Sequence, residues 1–262
     1  MTKKRLSITA DTDIPAFQNT IGEVLQNGMP ADATVTYTGR NILFIFPAST
    51  PSGPVTVNTK SFRLPRFPNN YIYAMFRPGK AERSHLHAHR LLDMGFLTPE
   101  PFGFGTTTEY HLGIPTLTSS YYFCQHLPYP NMRGWEVRPD YDRFVTALGA
   151  EIARLHKAGV WMKDFSAGNI LCHTGENGEY QFLYVDLNRI EFNVTSRRKL
   201  MQMFKTLSTD RTHTLRVAEA YAKAAGLDAG LICRQAGAAF DSYNSRVRRK
   251  KRLKSLFRKG NA

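Results

Sequence analysis

The stretch from Gly159 to Arg189, GVWMKDFSAGNILCHTGENGEYQFLYVDLNR, constrains this chain more than any other. Gly159 stops a helical run, and the loop after it carries Asp164 and, five residues on, Asn169. Ile170-Leu171-Cys172 opens an apolar strand, Glu176-Asn177-Gly178-Glu179 reads as a turn, and Tyr180 to Val185 returns as a second strand ending in Asp186. Such a hairpin places a carboxylate and an amide from one loop near a second carboxylate at a strand end. The plainer alternative is that Asp164 and Asn169 cap a turn, and that Asp186 ends a strand because turn formers do so.

These residue types suit phosphoryl transfer. That reaction asks little covalent work of the protein, so positioning of the acceptor hydroxyl and neutralisation of charge by magnesium carry most of the catalysis. Asp164 fits the carboxylate that orients or deprotonates the acceptor, and Asn169 with Asp186 fits the amide and carboxylate that face the metal. The Asp-x-x-x-x-Asn spacing matches the catalytic loop of protein kinases. Chance supplies that spacing often, but the added Gly-Asn-Ile-Leu, the hairpin and the following Val-Asp make the combination specific.

Upstream, Thr34 to Tyr37 and Ile42 to Phe46 read as strands around the turn Gly39-Arg40-Asn41, and Pro47 to Pro54 as a loop. Val55 to Arg63 alternates as a third strand and brings Lys60 near its end. A helix is expected from Gly79 to Met94. Its Glu82 either pairs with Lys60 and aims the ammonium at nucleotide phosphates, or is an acid favoured by the helix dipole. His85 and His89 share a helix face, but no third ligand shows at matching spacing, so they read as surface or packing residues. Gly103 to Gly113 reads as turn-rich and Thr118 to Cys124 as a strand. Gln125-His126-Leu127-Pro128 follows as a connector whose backbone, at Gln125 and Leu127, could bind an adenine edge. The clearest helix is Tyr141 to Lys157, with Tyr141, Phe144, Val145, Leu148, Ile152 and Leu155 on one stripe. Helical patterns fill Arg197 to Leu207, His213 to Ala225 and Leu231 to Leu256, while the first thirty residues offer only a short helix from Ile14 to Leu25.

Three widely spaced cysteines, Cys124, Cys172 and Cys233, suggest reduced thiols and a cytoplasmic protein, and MTKKRLSITADTD lacks the apolar core of a signal peptide. The net charge of +14 belongs mainly to a tail. Between Ser245 and Lys259 nine basic residues stand without an acid, leaving +5 for the rest. A basic amphipathic segment suits an anionic membrane surface; nucleic acid explains the charge too but is the weaker reading, and a solvated tail is the plain one.

Taken together, Lys60, the helix with Glu82, LLDMGFLTPEPFG, SSYYFCQHL, KDFSAGNIL and YVDLNR resemble the lipopolysaccharide kinase family, the Kdo and heptose kinases with their InaA-like relatives. The resemblance implies an α+β, bilobal protein-kinase-like fold, with an N-lobe at 1–125 (residues 1–30 an extension) and a C-lobe at 126–262 ending in a basic helix at 240–259. It implies ATP and Mg²⁺, a lipid-linked saccharide acceptor, and work at the inner face of the bacterial inner membrane. By the same resemblance Lys60 contacts the α- and β-phosphates, Asp164 serves the acceptor hydroxyl, and Asn169 and Asp186 hold magnesium. The chain departs from kinases in lacking Gly-x-Gly-x-x-Gly, which leaves Gly39, Arg40 and Asn41 as the expected phosphate cover. Met162 also stands where a histidine is usual, Leu187-Asn188 replaces Phe-Gly, and Ala-Pro-Glu is missing. Two alternatives stay open: a kinase of a protein or small-molecule acceptor, and a pseudokinase.

Overall fold

The computed structural model describes residues 3–11, 16–50, 53–65, 69–75 and 77–259. The chain divides into two units, Met1–Pro128 with Val185–Asn188, and Tyr129–Tyr184 with Arg189–Ala262.

The first unit is built on six antiparallel strands: β1 (Lys3–Ala10), β2 (Thr34–Thr38), β3 (Ile42–Thr50), β4 (Gly53–Ser61), β5 (Pro101–His111) and β6 (Ile114–Gln125), in the order β1-β5-β6-β4-β3-β2. Three helices accompany them: α1 (Ala16–Asn27), α2 (Asn69–Met75) and α3 (Lys80–Asp93). Phe17, Ile21, Val24 and Leu25 recur at helical spacing on α1 and pack on Phe44, Phe46, Val57, Phe102 and Phe123 of the sheet. Of the helix expected from Ile14, residues 14 and 15 lie outside the described residues.

Two readings of the sequence are overturned. Gly103 to Gly113 is not turn-rich but mostly strand β5, and its glycines serve packing. A Cβ on Gly105 would lie 2.7 Å from side-chain carbons of Ile21 and Leu25, and one on Gly103 would lie 2.4 Å from the Thr9 carbonyl. The small residues let α1 and β1 lie close against β5. Pro47 to Pro54 is likewise largely strand, with Pro47 paired to Thr56 across β3 and β4. Proline is tolerated there because β2 pairs with β3 only as far as Ile45, so no ladder partner on that side asks for the missing N–H.

The second unit contains α4 (Tyr141–Lys157), the hairpin β8 (Ile170–Thr174) and β9 (Tyr180–Tyr184), the short pair β7 (Trp161–Met162) and β10 (Ile190–Glu191), and α5 (Arg197–Leu200), α6 (Arg211–Ala225) and α7 (Ala229–Lys259). The stripe read on α4 is its buried face: Phe144, Val145, Leu148, Ile152 and Leu155 are all enclosed. Helices α4 and α6 meet closely, since a Cβ on Gly149 would stand 2.6 Å from the Tyr221 nitrogen. No described helix is long and apolar enough to cross a membrane.

His156, on the last turn of α4, is buried among Phe204, Tyr221 and the Met203 sulfur, and burial lowers its pKa from 6.5 to about 4. A depressed histidine stabilises the fold fully above its unfolded pKa and loses that contribution as pH falls from about 6.5 toward 4, because the unfolded chain takes up the proton first. Between pH 7.5 and 5 this predicts a loss on the order of 2 kcal/mol. Urea unfolding at the two pH values measures it, and His156→Gln should lose less between them whatever its absolute stability.

Candidate active site

Strand β4 alternates so that Val57 and Thr59 are buried on one face while Lys60 lies on the other, its side chain 16% exposed. The Lys60 ammonium meets the Asp186 carboxylate at 2.5 Å. Asp186 has a left-handed backbone, φ 61°, which a short polar side chain tolerates better than most. That conformation turns the chain out of the strand direction of β9 and into a 3₁₀ turn, Leu187–Arg189. The Asn188 amide donates to the same Asp186 oxygen at 2.6 Å.

Helix α3 secures this turn from the other side. Arg83 Nε donates to the Asn188 carbonyl at 3.1 Å, and His87 Nδ1 meets the Leu187 carbonyl at 2.7 Å. Arg83 and His87 stand one helical turn apart, whereas Glu82 was expected to pair with Lys60. Glu82 instead caps its own helix, accepting from the Gly79 N–H at 3.2 Å, so the Lys60 ion pair goes to Asp186. The first-turn acid faces the free amides of the helix start, and the dipole argument describes it.

The turn Gly39-Arg40-Asn41, expected as phosphate cover, lies beside Arg63 and Lys80. Asn41 Oδ1 accepts the Arg63 N–H at 3.1 Å, and Arg40, Arg63 and Lys80 line one cavity of about 430 Å³ with Asn69 and Tyr73. Burial lowers the Lys80 pKa, and the positive charges of Arg40, Arg83 and Lys60 push it further down. Such crowding of cations suits a polyanion. Arg63 and Lys80 were missed from the sequence because only the fold gathers them around the turn. At the end of β6, Gln125 N–H donates to the Glu100 carbonyl and His126 N–H to Thr56, while the Leu127 amide has no partner among the described residues.

In the second unit the loop after β7 carries Asp164, with its side chain 39% exposed. Arg189 binds it at 3.0 and 3.3 Å, and Asn169 Nδ2 donates to the Asp164 main-chain carbonyl at 2.9 Å. The five-residue spacing read in the sequence is thus a closed loop. Asn169 spends one amide hydrogen on the loop and keeps its carbonyl oxygen for another partner. Met162, in the usual histidine position, is buried and pairs with Ile190, and Lys163 N–H donates to the Arg189 carbonyl. Backbone pairing supports the loop here without a histidine.

Lys205 lies within electrostatic reach of Asp164. Lys205 is half-buried, and burial first, then Lys163, Arg246 and Arg189, lower its pKa, while Asp164 raises it. Lys199 and Lys205 also lie over the Trp161 ring, at 4.9 and 5.8 Å from its centroid.

Residues 136–222 match the family model described as the lipopolysaccharide kinase (Kdo/WaaP) family. No curated protein sequence matches the chain. Among solved structures, the chain is similar to one described as WaaP in complex with acyl carrier protein, at 16% identity and TM-score 0.58, covering 94% of this chain and 98% of that one. An aminoglycoside-3'-phosphotransferase of type VIII is similar at 9% identity and TM-score 0.52, covering 85% and 98%. These likenesses agree with the α+β kinase-like fold expected from the sequence.

Proposed function

We propose, for a kinase of the lipopolysaccharide kinase family, that the acceptor is a sugar hydroxyl of the lipopolysaccharide inner core, Kdo or heptose, and that the donor is ATP. The observation that carries the acceptor is the charge beside Asp164: Arg189 is bonded to it, Lys163 precedes it, and Lys205 lies within electrostatic reach. An acceptor bearing carboxylates or phosphates beside its hydroxyl is attracted there, and a polycationic aminoglycoside is repelled.

Asp164 orients the acceptor hydroxyl or takes its proton, once the acceptor's own anionic groups draw Arg189 away. Lys60, with Arg40, Arg63 and Lys80, receives the phosphates, and the Leu127 amide, without a partner among the described residues, suits an adenine edge. The oxygen donors fit magnesium: Asp186 keeps one carboxylate oxygen clear of Lys60 and Asn188, and the Asn169 carbonyl oxygen has no partner among the described residues. Asp186 and Asn169 would hold the ion, which when bound neutralises charge on the phosphate oxygens.

The tail supports a location. On α7, Arg246, Arg248, Arg249, Lys250, Lys251 and Arg252 are exposed, and each basic residue near an anionic leaflet contributes about 1 kcal/mol. That attraction would hold the enzyme at the inner face of the bacterial inner membrane, beside a lipid-linked substrate. Incubation with γ-labelled ATP and a panel of acceptors tests the reading. Label should enter the lipid-linked inner-core saccharide; label entering only an aminoglycoside or a protein, or none, would overturn it.

A further inference from the structure

We propose that Asp11, His85 and His89 form a metal site of zinc type, fastening the end of β1 to helix α3. The i,i+4 spacing puts both imidazoles on one face of α3, their ring centroids 4.6 Å apart. The third ligand, which no spacing in the sequence reveals, comes from the residue after β1. Asp11 is brought there by the β1–β5 ladder, which ends at Ala10 opposite Gly103, and by its own N–H donating to the Phe102 carbonyl.

The geometry is close to that of a coordination shell. His85 Nε2 and His89 Nε2 lie 3.2 and 3.0 Å from the same oxygen, Asp11 Oδ1, and one ligand atom from each residue falls within 4.8 Å of the other two. A tetrahedral zinc with bonds of about 2.0–2.1 Å separates its ligands by about 3.3 Å, so small adjustments convert these contacts into a shell. Two imidazoles and a carboxylate form a ligand set suited to zinc, and the fourth position is left for water. Access is from one side: His85 is 6% exposed and walled by Phe104, whereas His89 is 44% exposed. His85 Nδ1 is buried with no hydrogen-bond partner among the described residues, and with Nε2 on a metal it would carry the ring proton.

The site has a mechanical role. Helix α3 holds the Leu187 and Asn188 carbonyls through His87 and Arg83, so an ion that pins α3 to β1 also steadies the turn beside Asp186.

The test uses the full chain stripped of metal with a chelator and titrated with Co²⁺ in the visible range, then with Zn²⁺ in competition. One equivalent of Co²⁺ with the strong bands of tetrahedral coordination, displaced by Zn²⁺, is expected. The exposed variant His89→Gln should lower Zn²⁺ affinity by at least roughly tenfold and abolish the rise in Tm that Zn²⁺ gives the wild type, as should Asp11→Asn. Asp186→Asn should bind Zn²⁺ as the wild type does. No stoichiometric binding by the wild type, or unchanged binding in both His89→Gln and Asp11→Asn, would overturn the site and leave the trio a hydrogen-bonded packing cluster.

Discussion

Asp164→Ala should lower turnover roughly 10²- to 10⁴-fold, the usual contribution of a positioned acid or base, with little change in nucleotide affinity. The carboxylate is half-exposed and among the described residues bonds only to Arg189, so removing it takes nothing from the core. The loop also survives, because Asn169 holds the main-chain carbonyl of residue 164 and not its side chain. The groups assigned to the nucleotide, Lys60 and Asp186, belong to the other unit and should bind it as before. Steady-state kinetics with labelled ATP separate the two effects. Unchanged turnover would remove Asp164 from the chemistry and return it to the plain role of a turn residue.

Asp186→Asn should be comparably severe by a different route. Asparagine adopts the left-handed conformation of this position as readily as aspartate, so the bend survives and only the charge is lost. Metal stabilisation of a transferring phosphoryl group is worth several kcal/mol, hence at least about 10² in turnover. The variant also leaves Lys60, a mostly enclosed ammonium, without its counter-ion. Titration of a fluorescent ATP analogue with and without Mg²⁺ is the measurement. Affinity should rise with Mg²⁺ for the wild type and stay level for the variant; a variant that keeps both the metal response and the turnover would refute the assignment.

What the sequence revealed and what it hid divide along a physical line. The strands β3 and β4 and helix α4 were legible because each buries one face and so carries a period of two or of about three and a half residues, and the β8–β9 hairpin because two apolar runs flank a turn. β1 was not, since its side chains are exposed or half-buried and its place depends on β5, a hundred residues away. β5 itself was hidden by glycines kept small for α1. At the site, local spacing put Asp164 and Asn169 in one loop but did not show the hydrogen bond that closes it. The Lys60–Asp186 pair spans 126 residues, and it was anticipated as chemistry and not as a contact. Glu82 shows the opposite failure: a nearby carboxylate was offered to Lys60, but three residues from its own helix start it had a closer donor.

The two rims of the six-stranded sheet are guarded differently. β1 carries Lys3, Lys4 and Arg5, charges that discourage another chain from zipping onto it. β2, with the sequence TVTYT, has no charge, and all five of its residues are exposed. Its safeguard is the bulge between Val35 and Tyr37, where Thr36 drops out of the ladder and turns its hydroxyl to the Leu43 carbonyl. One surplus residue thereby breaks up what would be an uninterrupted row of unclaimed amides, and solubility at this rim depends on that irregularity.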